Sequence, residues 1–430
     1  MYIKRVELTN IRCFEHIEID LSSDGGIRKW AVILGDNGVG KTTLLRSIAL
    51  ALGDKESAAA LFRDLSGEWV RRGSPDKKGT IRIDFGNEKR KKQTIYTKIV
   101  ILNDKGRESI DDYKNEPTDL PWSEIFACGY GAARGIFGTR SYSEYRTIDS
   151  VYSLFDYELS LQNAELILRR LESSGEFELS IILHSIDQIL MLPLGSTTLR
   201  KSGICISGPW GEFMPIDSIG DGYRATLAWL VDFLGWAMFH HDSIVSRVDI
   251  AGIVLIDELE QHLHPRWQRR IIKLIHEQFP TTQFIATTHS PLCAIGMTDL
   301  KSEECNLVVL HQQDDHTDAI SKQELPRGKR ADQVLTSSLF GLLTTSDDET
   351  REKIDRYSKL SSIKRTPDEN RELQTLGEKL DKELGTRETV LEQKVLEAVM
   401  EVLAKPPKVS KFQSKALEYE AKRQLRKIFE

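Results

Sequence analysis

Residues 35–42 read Gly35-Asp36-Asn37-Gly38-Val39-Gly40-Lys41-Thr42 and satisfy the spacing G-x-x-x-x-G-K-[ST]. Glycines at these intervals let a backbone curl until its N–H groups, with the N-terminus of a following helix, face a polyphosphate. Gly35, Asn37, Gly38, Gly40 and Thr43 would then line the phosphates, Lys41 would reach the β- and γ-phosphates, and Thr42 would ligate Mg2+. A turn that merely joined strand to helix would give Lys41-Thr42 no reason to follow the last glycine. A second pattern, Ile253-Val254-Leu255-Ile256-Asp257-Glu258, is an apolar run that ends in two carboxylates. At the carboxyl end of a buried strand, where open α/β sheets bind ligands, Asp257 suits the Mg2+ shell. Glu258 suits the orientation or deprotonation of an attacking water. Taken alone, the pair could equally end a strand in a solvated acidic turn. A third, Thr287-Thr288-His289-Ser290-Pro291, brings His289 to the same edge, within reach of the γ-phosphate or the water.

These groups need elements to hold them. Residues 30–34, Trp-Ala-Val-Ile-Leu, are wholly apolar, as a strand buried on both faces must be. After the glycine loop, Leu45, Ile48, Ala49 and Leu52 fall at helical spacing, and Gly53 stops the helix. Residues 252–256, 283–287 and 305–310 read as further buried strands, 222–239 as an apolar helix, and 265–279 as a helix opened by a proline. Upstream, residues 3–8 and 16–21 alternate like a strand pair. Residues 80–85 and 94–102 form a hairpin with a basic tip at 89–92. Residues 148–192 turn helical without sustained heptads, so they make a compact lobe and no coiled-coil rod. Strands alternating with helices through the two ends of the chain predict a parallel α/β core interrupted by that lobe. Residues 346–401 predict exposed helices.

Taken together, the glycine loop, the run Asp257-Glu258-Leu259-Glu260-Gln261-His262-Leu263-His264-Pro265 and Thr288-His289-Ser290-Pro291 resemble the ABC-type ATPase heads of the RecF, SMC and OLD superfamily. That family reads D-E-P-E-x-x-L-H-P at the second motif. Leu8-Thr9-Asn10-Ile11-Arg12-Cys13-Phe14 is similar to its L-x-N-F-R-x-F start. Gly129-Tyr130-Gly131-Ala132-Ala133-Arg134 and Ser218-Ile219-Gly220-Asp221-Gly222-Tyr223-Arg224 resemble a narrower group, the AAA-family ATPases of Septu and retron anti-phage systems, of which PtuA is the example. The resemblance implies an α/β fold, an ABC-ATPase (P-loop NTPase) head with a mixed β-sheet, an inserted helical lobe and a C-terminal helical extension. It implies ATPase core at 1–147 and 216–312, lobe and strand segment at 148–215, and extension at 313–430.

It further implies a head-to-head dimer with ATP and Mg2+ between one subunit's Walker motifs and the other's signature, carried here by Gly220, Asp221 and Gly222. Residues 260–264 would form the D-loop at the seam. In these terms Lys41, Glu258 and His289 are the catalytic groups, and Thr42 and Asp257 the metal ligands. Three departures bear on turnover and not on binding. Gly220 stands at the signature serine, Leu259 at the usual proline, and residues 100–145 offer no Q-loop glutamine. Some members of that group serve beside a separately encoded nuclease, so the resemblance implies a separately encoded effector, an HNH-type nuclease. An ATP-sensing scaffold with little turnover and a RecF-like DNA-binding repair ATPase are the competing readings.

Composition narrows the rest. The chain has 430 residues, 40% hydrophobic and 29% charged, with a net charge of −6. No apolar run nears the ~18 residues of a membrane helix, which excludes membrane-spanning, disordered and collagenous classes. The strand-like start lacks a signal peptide's apolar region, so the cytoplasm is the expected compartment. Five cysteines with no C-x-x-C argue against disulfides and a zinc site. Basic features remain at Arg71-Arg72, at 89–92, and in the tail from 404, where eight basic residues face three acidic ones. They could meet DNA or RNA phosphates or serve as solubilising charge. Residues 332–342 carry apolar side chains that either pack on the head or form a docking site.

Overall fold

The computed structural model describes residues 1–384 except 24–25, 64, 66, 87–94, 119, 121, 123–124, 157, 175–178, 241–249, 322–323, 343–344 and 363–365. The expected basic tip at 89–92, the tail from 404 and the last part of the 346–401 helices lie outside the described residues.

A six-stranded sheet runs in the order Thr317–Ile320, Cys305–Gln312, Trp30–Leu34, Gln283–Thr288, Ile253–Ile256, Ala127–Tyr130. All pairings are parallel except the first, where Thr317–Ile320 returns antiparallel at the edge. The continuous apolar runs seen in the sequence follow from this burial. Trp30, Val32 and Leu34 point into one core, and Ala31 and Ile33 into the other. The first core is filled by the helices Ala164–Ser174, Leu179–Ile189 and Asp221–His240. Gly235 in the last of these lets the Ile167 side chain sit where a Cβ would project. The second core lies under the helix Lys41–Leu50 and a five-stranded antiparallel sheet, ordered Phe14–Asp20, Tyr2–Ile11, Lys78–Gly86, Ile95–Asp104, Arg107–Glu116. Val334 and Leu339 are buried in the first core, so the 332–342 segment packs on the head.

Two expectations need correcting. The helix read over 265–279 is two helices, Pro265–Gln268 and Ile271–Gln278. Between them the Arg270 N–H bonds to the Trp267 carbonyl, a tightened turn, while the Arg269 guanidinium reaches the Asp299 carboxylate at 2.7 and 3.0 Å. The hairpin of residues 78–104 continues into a third strand, Arg107–Glu116, which the sequence reading did not contain. Positive φ at Lys105 (52°) and Gly106 (86°) makes the two-residue turn whose twist suits a hairpin.

By its contacts the chain divides into units 1–343 and 344–430. In the second, the helices Asp348–Ser362 and Pro367–Leu384 are joined by Arg356 and Glu372, 2.7 Å apart.

Asp232 ties the long apolar helix to the sheet. Tyr130 Oη donates to its Oδ2 and the Gln162 N–H to its Oδ1, both at 3.0 Å. Burial pushes this carboxyl up to about 6 from 3.8. A folded pKa above the unfolded value contributes stability that is full at low pH and is lost as pH rises through about 6. Denaturant titration should therefore show the wild type losing ~3 kcal/mol against Asp232→Asn between about pH 4 and pH 7. Parallel pH slopes for the two proteins would contradict this.

Candidate nucleotide site

The glycine loop leaves the end of Trp30–Leu34 and enters the helix Lys41–Leu50. Asp36, Asn37 and Gly38 form its exposed tip, while Val39 is anchored in the second core. Gly38 and Gly40 have φ of 84° and 98°, the left-handed region that glycine enters without strain. At Gly40 a Cβ would also run into the Cys13 sulfur and the Phe14 ring. Lys41 is buried, and its Nζ donates to the carbonyls of Gly35 and Asp36, each at 2.9 Å. Burial lowers its pKa, and the carboxylates of Asp257, Glu258, Glu260 and Asp36 oppose that. Thr43 is buried in the first turn of the helix.

The sheet register brings the carboxylates to this loop. Thr42 Oγ1 donates to Asp257 Oδ2 at 2.6 Å across 215 residues. Thr287 Oγ1 donates to Asp257 Oδ1 at 2.5 Å and accepts the Glu258 N–H at 2.9 Å. Asp257 is buried, while Glu258 is half-buried with φ of 50°, unusual for a residue bearing a Cβ. His289 follows the end of Gln283–Thr288 at the same edge, and its N–H donates to Glu260 Oε1 at 2.5 Å. Lys41, Thr42, Asp257, Glu258 and His289 thus meet at one edge of the sheet.

Gly220, Asp221 and Gly222 open the helix Asp221–His240, with the N–H groups of Tyr223 and Arg224 bonded to the Gly220 carbonyl. Gly220 and Ser218 are exposed, and a Cβ at Gly220 would meet nothing within 4 Å. At Gly222 a Cβ would strike the His262 carbonyl, so the signature turn packs on the 260–264 loop of its own chain. His264 caps the next helix, its Nδ1 accepting the Arg266 N–H at 3.3 Å.

Two residues at the site carry no role in the sequence reading. Thr287 lies in a quoted motif, but only the parallel pairing of Ile256 with Ala286 brings its hydroxyl to Asp257. Arg134 ends the Gly129–Arg134 segment, and its Nη2 donates to the Glu258 carbonyl at 2.8 Å. A glycine-rich turn closing on arginine directly after a buried strand was the available signal.

A Mg2+ ion fits the donor set. A threonine hydroxyl and a carboxylate oxygen converge here, hard donors suited to an ion that takes one or two protein ligands plus phosphates. Among the described residues no group of three His, Cys, Asp or Glu side chains forms a separate metal site. Four cysteines are buried, Cys13 is half-buried, and all five are free thiols. No described helix is long and apolar enough to cross a membrane. Arg71 pairs with Asp315 at 2.7 Å and Arg72 with Glu68 at 2.7 Å, so both guanidinium groups are engaged within the chain.

A glycine loop after one parallel strand, a carboxylate pair after another, and a threonine-bearing strand between them define a P-loop ATPase head of the ABC type. Residues 5–173 match the family model described as "AAA domain", and residues 209–294 that described as "AAA domain, putative AbiEii toxin, Type IV TA system". In these matches the chain is similar to RecF/SMC/OLD-like ATPases. It is 28% identical over 407 residues to the Septu protein PtuA of Bacillus mycoides (strain KBAB4), covering 93% of this chain and 53% of that one. It is 29% identical over 176 residues to the "Retron Vc95 probable ATPase" of Vibrio cholerae serotype O1 biovar El Tor, covering 40% of this chain and 32% of that one. The chain therefore spans about half the length of the first relative. Among solved structures, the SMC head bound to the C-winged helix domain of ScpA aligns with a TM-score of 0.49 at 17% identity, over 76% of this chain and 99% of that one.

Proposed function

We propose that the chain binds and hydrolyses ATP with Mg2+ in a head-to-head dimer, and that the nucleotide state controls a separately encoded effector, a nuclease acting in anti-phage defence. The observation that carries the ATPase reading is the 2.6 Å bond from Thr42 to Asp257, which joins the glycine loop to the carboxylate pair. Mg2+, when bound, neutralises phosphate charge. Thr42 and Asp257 would hold it, and Thr287 fixes the second Asp257 oxygen. Lys41, released from the Gly35 and Asp36 carbonyls, adds its charge to the β- and γ-phosphates. Glu258 takes a proton from the attacking water, and His289, at the same sheet edge, would contact the γ-phosphate or that water. Gly220, Asp221 and Gly222 of the opposing subunit would offer backbone N–H groups and a helix N-terminus to the γ-phosphate.

The likeness to Septu and retron proteins supports the defence role, and the nuclease partner is proposed along with it. Co-purification from the native host tests them, with an HNH-type nuclease as the expected companion. A permease in its place would contradict the reading. Phosphate release no faster than in Lys41→Ala would convert the enzyme into an ATP-sensing scaffold.

A further inference from the structure

We infer that Arg134 is a positioning residue for hydrolysis, whose guanidinium fixes the strained peptide that carries Glu258. The inference rests on the ATPase reading above and names a group which that reading does not use.

Glu258 holds a left-handed backbone, φ 50°, which a side-chain-bearing residue keeps only when its surroundings over-determine it. Both ends of the residue are held. Its N–H is taken by Thr287 Oγ1 at 2.9 Å, and its carbonyl accepts from Arg134 Nη2 at 2.8 Å. Arg134 is itself pinned. It lies four residues beyond the strand Ala127–Tyr130, whose last residue pairs with Ile256, and its N–H bonds to the Ala132 carbonyl at 3.0 Å. On the way, Gly131 passes so close to the Ser153 carbonyl that a Cβ would collide with it.

The chemistry exceeds what fixing one carbonyl needs. Arg134 is only 8% exposed, and taking a guanidinium out of water is costly unless its donors are used. Its Nη1 is buried with no partner among the described residues. The nearby carboxylates of Asp257, Glu258 and Glu260 favour its charged form, and burial brings its pKa down only to about 10, so it is a cation at neutral pH. A neutral amide would hold the Glu258 carbonyl at less cost. A buried cation with a spare donor, set beside the hydrolytic carboxylates, fits a site that receives an anion.

Arg134→Met keeps the volume and removes both charge and donors, and Arg134→Lys keeps the charge without the planar fork. In the full chain, phosphate release, affinity for a fluorescent ATP analogue and the melting temperature are read for each. Arg134→Met is expected to lower kcat by ~30–100-fold with affinity within ~3-fold of wild type, and Arg134→Lys to fall between. A kcat for Arg134→Met within ~3-fold of wild type overturns the assignment, as does a matched loss of kcat, affinity and melting temperature in both variants. If the methionine variant fails to fold, the lysine variant decides. A ~5–10-fold fall in kcat at unchanged affinity supports the role, and wild-type kcat overturns it. A wild type that binds the analogue yet releases no phosphate above Lys41→Ala would instead sink the ATPase reading and this inference with it.

Discussion

Glu258→Gln is expected to cut ATP hydrolysis by ~100-fold or more while leaving nucleotide affinity within a few-fold of wild type, because only the proton acceptor is lost. The substitution is nearly isosteric. The two backbone bonds that hold residue 258, to Thr287 and from Arg134, do not involve its side chain. The geometry of the loop and the Thr42–Asp257 bond should therefore persist. With hydrolysis blocked and binding intact, the variant should accumulate with ATP as a closed dimer, visible by light scattering on a sizing column. Unchanged phosphate release would remove Glu258 from its role.

Lys41→Ala is expected to have the opposite signature, a loss of nucleotide affinity of ~100-fold or more, since a charge-assisted contact to phosphate vanishes. The folded state should tolerate it. Lys41 is buried, yet its bonds go only to the Gly35 and Asp36 carbonyls of an exposed loop, which water can take over. Equilibrium binding of a fluorescent ATP analogue checks the affinity, and a thermal melt checks the fold. Wild-type affinity in a folded variant would mean that the ammonium does not face the phosphates.

Much of this site is legible in the sequence, for a physical reason. Residues 35–42 are contiguous, so their geometry is local, and the apolar runs at 30–34 and 253–256 announce strands covered on both faces. Which strands become neighbours is not local. Thr287 reaches Asp257, and Arg134 reaches Glu258, only through the parallel register of Ala127–Tyr130, Ile253–Ile256 and Gln283–Thr288. The motifs bring two of these strand ends to one edge of the sheet, but they do not give the residue-by-residue register that sets one side chain against another. The strand Arg107–Glu116 escaped notice because it is polar with few apolar side chains, as an edge strand can be, although Lys105-Gly106 was its turn signal. The break at Arg269–Arg270 also has a tertiary cause. Gly296 lies so close to the Arg269 carbonyl that a Cβ would meet it at 2.8 Å, and no periodicity reports that contact.

Isothermal titration of the purified wild-type chain with a slowly hydrolysed ATP analogue and Mg2+ tests the central claim most directly. Saturable binding of one nucleotide per chain, abolished in Lys41→Ala and accompanied by dimer formation, is the expected result. A folded wild type that takes up no nucleotide would contradict the account.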